Sequence, residues 1–194
     1  MRNEPDRKEY FNYLQNRSII GKLYRNYMLY PRLASCLNDR VLDFGCGIGD
    51  FLVFRQGTTG VDINPHNVEY CRSLGLAAEV IENGVIPFAD HSFDSLIMDN
   101  VLEHIPEPEV NAVLNEVLRV LRPGGRLLIG VPGPKGYESD PDHCCFYSEP
   151  DLVALFQGVN CRLLELFHMP VNITWLESRI SQYCVYALFE SPPL

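Results

Sequence analysis

The residues best suited to chemistry lie in two short stretches of the first third of the chain. Val41-Leu42-Asp43-Phe44 is an apolar run carrying one acid, and Gly45-Cys46-Gly47-Ile48-Gly49 follows it. Three glycines at alternate positions let a backbone turn sharply and leave room for a ligand to touch the main chain. Gly60-Val61 then leads to a second acid, Asp62, with Ile63 beyond it. A carboxylate at the end of a second strand can accept two hydrogen bonds, which suits the paired hydroxyls of a sugar. Together the stretches predict a nucleoside pocket at the carboxyl ends of parallel strands.

The identity of the nucleoside turns on spacing. Dinucleotide enzymes set G-x-G-x-x-G at a helix N-terminus that meets a pyrophosphate. Here the pattern is G-x-G-x-G, with Asp43 two residues before the first glycine. That carboxylate would repel a pyrophosphate and suits a ligand bearing an ammonium group, such as the methionine part of S-adenosylmethionine. The stretch resembles the first motif of the class I S-adenosylmethionine-dependent methyltransferases. Ile86-Pro87-Phe88 through Phe93-Asp94 resembles the segment leading into that family's fourth strand. Met98-Asp99-Asn100-Val101-Leu102-Glu103-His104-Ile105 is similar to its motif after that strand. Glu116 through Arg126, with Pro123-Gly124-Gly125, looks like the helix and turn before the fifth.

The resemblance implies a cofactor, S-adenosyl-L-methionine, with S-adenosyl-L-homocysteine as product, and a site for it. Asp43 would anchor the amino group, and Gly45, Cys46 and Gly47 would present main chain to the methionine and ribose. Asp62 would take the ribose hydroxyls and Ile63 would pack on an adenine face. Where the family often has an aspartate for the adenine amine, this chain has Glu82 or Asn83, with Gly84 next to them. Asn100 and Val101 would line the methionine end. Glu103 and His104 share that motif, and His104 is expected to pack and hydrogen-bond beside the pocket rather than to act as a base.

The family frequently builds its acceptor site after strand five, here residues 133–147. An Asp-His step followed by an aromatic resembles the D-x-H-x-x-x-Y pattern of several small-molecule methyltransferases. His143 is the candidate base, with Asp142 or Asp140 as the orienting carboxylate. Lys135 is placed to meet an anionic group, and Met169 to Ile180, with Trp175, to wall the acceptor pocket. The implied function is methyl transfer to a small-molecule acceptor, on oxygen by first choice and on an anionic substrate. The alternatives are an RNA or protein methyltransferase and a binding protein that keeps the cofactor without turnover.

Positioning these residues requires alternating strands and helices. Apolar runs predict strands at 40–44, 58–62, 76–81, 95–99 and 126–131. Helices are predicted from Pro65 to about Leu74 and from Pro108 to Leu121, the latter with Val110, Val113, Leu114, Val117 and Leu118 on one side. Residues 132–136 read as a loop, Glu149 to Phe156 as a helix ending before Gly158, and 163–168 and 181–189 as closing strands. The expected fold is α/β and Rossmann-like: a doubly wound, mostly parallel seven-stranded sheet with an antiparallel final strand and helices on both faces. It is read as a single domain over 1–194, with an N-terminal helical cap (1–37), a cofactor core (38–132) and an acceptor loop with closing strands (133–194). In the cap, Tyr10, Tyr13, Leu14, Leu23, Tyr24, Tyr27 and Met28 recur near helical spacing. Such a stripe packs into a core or, by the resemblance, covers the cofactor.

Composition sets the remaining bounds. A chain of 194 residues at 46% hydrophobic and 21% charged suits one globular domain with its own core. No apolar run reaches a membrane span's length, and the polar first residues predict no signal peptide, hence a cytoplasmic location. Seven scattered cysteines with no C-x-x-C pair predict reduced thiols. No metal is expected; His143-Cys144-Cys145 makes a poor ligand set because neighbours on an extended chain point apart. A net charge of −9 argues against nucleic acid as a partner. The charge is uneven: residues 1–32 hold seven basic side chains against three acidic ones, leaving −13 on the rest. That basic segment is either a solvated face or a hold on an anionic substrate.

Overall fold

The computed structural model describes residues 19–171 and 182–193. Seven strands form one sheet: β1 (Val41–Phe44), β2 (Thr59–Asp62), β3 (Ala78–Val80), β4 (Phe93–Asp99), β5 (Leu121–Pro132), β6 (Arg162–Met169) and β7 (Cys184–Glu190). Their order is β3-β2-β1-β4-β5-β7-β6. The first five strands run parallel, and β7 is antiparallel to both of its neighbours. This is the expected Rossmann-like sheet. The chain leaves β1 towards β2 on one side and returns through β4 on the other. The carboxyl ends of β1 and β4 therefore flank a crevice where the order reverses, the place such sheets bind ligands.

Among the described residues, seven α-helices cover the sheet: α1 (Ile19–Tyr24), α2 (Tyr30–Ser35), α3 (Asp50–Phe54), α4 (Pro65–Ser73), α5 (Glu107–Val120), α6 (Pro134–Glu138) and α7 (Glu149–Gly158). A π-helical turn, Arg25–Leu29, joins α1 to α2, and a 3₁₀ turn, Leu102–His104, follows β4. Strand alternation decides the two cores. Leu96, Met98, Leu127, Ile129, Val185, Ala187 and Phe189 point to one face, under Val110, Leu114 and Val117 of α5 and Leu152 and Phe156 of α7. Their neighbours Ile97, Leu128, Cys184, Tyr186 and Leu188 point to the other, under Leu29, Tyr30 and Leu33. All seven cysteines are free, and no helix among the described residues is long and apolar enough to cross a membrane.

The structure differs from the sequence reading mainly at element ends. Strand five begins at Leu121, which already pairs with Phe93; Arg122-Pro123-Gly124-Gly125 is an irregularity before Ser95 meets Arg126. The supposed loop after it contains α6, with Pro134 at its first position. α7 runs through Gly158, and β3 has only three residues. Helix α5 spans Glu107–Val120, one residue off the expected bounds at each end. The N-terminal stripe divides: Tyr24 faces inward, whereas Leu23, Tyr27 and Met28 are exposed. Tyr10, Tyr13 and Leu14 lie outside the described residues, as does Trp175.

Helix α5 is held by burial of one apolar side, since its other side faces water. Leu114 is fully buried in the larger core. Leu114→Ala should therefore destabilise the fold by about 2–5 kcal/mol, read as a lower midpoint in urea unfolding. A shift of only a few tenths would show that α5 contributes little to the core.

Candidate functional site

The glycine loop is fixed from beneath by β2. The N–H groups of Gly45 and Cys46 both donate to the Val61 carbonyl, at 2.8 and 3.0 Å. Gly45 has φ +79°, and a Cβ there would lie 2.5 Å from Val101 Cγ2. Only glycine fits that conformation and that approach. The buried Asp62 carboxylate completes the tether. Its Oδ2 accepts from Gly47 N–H at 2.9 Å and Asn67 Nδ2 at 3.2 Å, and its Oδ1 from Asn64 N–H at 2.7 Å. Asp62 thus holds the loop from beneath and is not itself among the residues lining the cavity above it.

Above the loop lies a cavity of about 570 Å³. Asp43, Gly45, Cys46, Gly47 and Asn100 of the predicted set line one part of it, and His143 with Asp140 lines another. Val101 packs against Gly45, and Ile63 stands 61% exposed at the end of β2. Glu82, Asn83 and Gly84 lie outside that lining, in an exposed turn after β3 where Val85 N–H donates to the Glu82 carbonyl. Lys135 is exposed on α6.

Negative charge dominates the floor. Burial drives the Asp43 carboxyl well above the ordinary carboxylate range, and the nearby charges of Asp99 and Asp62 push it further. Asp99 receives the Tyr186 hydroxyl at 2.7 Å and Asn100 Nδ2 at 3.0 Å. Gly130 permits the first contact, because a Cβ there would come within 2.3 Å of the Tyr186 ring. Asn100 itself takes φ +54°, a conformation Asn tolerates better than most side chains and one that often marks functional backbone.

The π-helical turn adds groups the sequence did not announce. Tyr24 Oη and Arg25 Nη2 are buried without a hydrogen-bond partner, and both residues line the cavity. Arg25 Nε stands 3.9 Å from Asp50 Oδ2, and the remaining Nη2 donor can bond a ligand carboxylate. The cavity therefore offers an anion site, buried acids for a cation, and bare main chain between them. That donor set fits an amino-acid-bearing, positively charged nucleoside. Arg25 and Tyr24 escaped the sequence reading because neither belongs to a motif; a basic segment and an aromatic stripe were the only signals.

At the other end, the 139–147 loop docks on the turn after β4. The N–H groups of Cys144 and Cys145 both donate to the Glu103 carbonyl, at 2.7 and 3.1 Å. This brings His143 against His104, with ring centroids 4.7 Å apart, and stacks it on Tyr137. His143 Nδ1 donates to the Tyr137 carbonyl at 2.7 Å. Its Nε2 lies 3.8 Å from Glu103 Oε1 and 4.0 Å from Asp140 Oδ2. Asp142 works through its main chain, donating N–H to Asp140 Oδ1 and accepting from His104 Nδ1 at 3.3 Å. Glu103 is 1% exposed, and burial raises its carboxyl to about 8. Its position in the motif was visible in the sequence, but its isolation was not.

Known proteins resemble this chain in sequence and in fold. Residues 42–129 match the methyltransferase domain family. The 27-O-demethylrifamycin SV methyltransferase of Amycolatopsis mediterranei is 35% identical over 136 residues, covering 59% of this chain and 49% of that protein. The probable tRNA methyltransferase 9B of Mus musculus is 36% identical over 110 residues, covering 53% of this chain and 25% of its own. The chain thus spans half or less of these relatives' length. A solved structure from Thermotoga maritima, described as a SAM-dependent methyltransferase and possible histamine N-methyltransferase, superposes with a TM-score of 0.74. It covers 96% of this chain and 99% of its own, at 19% identity, and shows the shared fold.

The raised Asp43 carboxyl has a measurable consequence. The fold keeps a proton that the unfolded chain releases above 3.8, so this group's contribution to stability is lost as pH rises from there towards its folded value. Asp43→Asn removes the titration. Between pH 5 and pH 7.5, roughly the window in which carboxyl linkage acts, the melting temperature of the ligand-free variant should fall less than that of the parent. An equal fall in both would contradict the assignment.

Proposed function

We propose that this chain, whose residues 42–129 match the methyltransferase domain family, is a class I S-adenosylmethionine-dependent methyltransferase and that it methylates an oxygen atom of a small, anionic acceptor. The observation that carries the reading is a single cavity bounded by the glycine loop and Asp43 at one part and by His143 at another. Asp43 takes the amino group of the cofactor, and Arg25 with Tyr24 takes its carboxylate. Gly45, Cys46 and Gly47 give main chain to the methionine and ribose, and Asp62 meets the ribose hydroxyls. Ile63 covers one adenine face, with Glu82, Asn83 or Gly84 at its amine. Asn100 and Val101 close the methionine end. When bound, the cofactor supplies an electrophilic methyl group through its sulfonium.

The protein's own work is then to orient the acceptor, exclude water and remove a proton. With Nδ1–H committed to the Tyr137 carbonyl, neutral His143 presents the Nε2 lone pair as proton acceptor. Asp140 stands close enough to stabilise the resulting imidazolium, while Asp142 braces the loop that carries it. The name of the rifamycin relative supports a small hydroxylated acceptor, and a net charge of −9 disfavours nucleic acid. The free thiols fit a reducing cytoplasm.

Transfer of a labelled methyl group should be found in a screen of hydroxylated, anionic small molecules. Transfer to RNA alone would reverse the reading in favour of the function named for the tRNA methyltransferase relative. Once an acceptor is in hand, His143→Ala should lower kcat by about 10²–10⁴-fold and leave cofactor affinity nearly unchanged. Full turnover in that variant would exclude His143 as the base.

A further inference from the structure

Glu103 is an expensive group to leave as it stands. It is 1% exposed, and neither carboxylate oxygen has a hydrogen-bond partner. The His143 Nε2 ring nitrogen stands 3.8 Å from its Oε1, too far to hydrogen-bond; burying a carboxyl group with no hydrogen bond is unfavourable, so such groups mark a missing counterpart. The surroundings supply more negative charge, from Asp99 and Asp140. A cation is what this position lacks.

Two imidazoles complete the set. His143 and His104 each donate Nδ1–H to a main-chain carbonyl, of Tyr137 and Asp142. Such bonds fix the tautomer and orientation of histidines that ligate metals, leaving Nε2 as the coordinating nitrogen of a neutral ring. One ligand atom from each of Glu103, His104 and His143 lies within 4.8 Å of the others. A cation drawing the three together by about 1 Å would meet ordinary metal–ligand lengths near 2.0–2.2 Å.

We propose that Glu103, His104 and His143 form a binding site for a divalent transition-metal ion at the acceptor end of the cavity. Two nitrogens and one carboxylate favour Mn²⁺, Fe²⁺, Co²⁺ or Zn²⁺ over the all-oxygen preference of Ca²⁺. The sequence pattern pointed away from metal because it paired His143 with Cys144 and Cys145. The fold instead leaves Cys144 exposed and brings His143 to residues almost forty positions earlier. Three protein ligands leave coordination positions open to an acceptor oxygen. This part rests on the proposed methyl transfer: a coordinated hydroxyl would lose its proton to a solvent base, the oxygen staying on the ion. With the ion present, His143 Nε2 is a ligand rather than the proton acceptor.

Binding can be read without any acceptor. Protein stripped with EDTA is titrated with Mn²⁺ alone, and free ion is followed by electron paramagnetic resonance. One saturable site is expected. Glu103→Gln and His143→Ala should each weaken it by at least about tenfold, the lower range for disturbing even outer-shell partners, while S-adenosylhomocysteine binding confirms that the variants fold. In the parent protein, bound Zn²⁺, a diamagnetic ion, should shift the ring resonances of two of the five histidines. No saturable Mn²⁺ or Zn²⁺ binding, undiminished binding in both variants, or a Zn²⁺-induced shift of none or all of the histidines would overturn the site. A confirmed ion site with no methyl transfer to any acceptor would sink the proposed function and leave the site standing. Transfer that persists in EDTA would refute the ion's part in ionising the acceptor.

Discussion

The sheet forces three carboxylates together. Asp43 sits between Gly60 of β2 and Ile97 of β4 in the strand register, and Asp62 and Asp99 close those neighbouring strands. Parallel strands in this order end at one crevice, so their acids cannot disperse. Burial disfavours the charged form of Asp43, and the neighbouring acids add to that effect, which is why Asp43 holds its proton. The crevice therefore favours positive charge between its acids. A positively charged ligand relieves the repulsion, and the geometry around the acids determines which one fits.

Everything near the crevice answers to that constraint. Asp62 spends its oxygens on Gly47, Asn64 and Asn67, which fixes the loop and neutralises part of its own burial cost. Asp99 is satisfied by Tyr186 and Asn100, and the glycine at position 130 exists where a side chain would block the phenol. Arg25 enters from a π-helical turn, opposite in sign to the floor. The 139–147 loop hangs from the Glu103 carbonyl and carries His143 over the same opening. Fold and site are one construction, since the contacts that close the loops also set the chemistry.

The legible parts of the sequence were those with strict local demands. Gly45 announces a left-handed turn, Asp43 and Asp62 announce strand ends, and the apolar period of α5 announces a covering helix. Long-range pairings left weaker marks. The partnership of His143 with Glu103 spans a chain separation that no periodicity records. The orphaned atoms of Tyr24 and Arg25 depend on a π-helical turn, which has no compositional signature. Strand five extended to Leu121 because Phe93 pairs with it across the irregularity at Pro123-Gly124-Gly125, so tertiary pairing overrode the turn residues. Glu82, Asn83 and Gly84 came from the resemblance alone, placed by alignment on the nearby Ile86-Pro87-Phe88, and the short strand β3 ends in an exposed turn that holds them outside the cavity lining.

The central claim is that the acids of the crevice grip a cationic nucleoside. Calorimetric titration with S-adenosylmethionine and S-adenosylhomocysteine, on the parent chain and on Asp43→Asn, addresses it most directly. Both ligands should bind the parent, and the variant should lose roughly 10–100-fold in affinity, the worth of one hydrogen bond to a charged group. Binding of NAD in preference to either ligand, or equal affinities for parent and variant, would contradict the account.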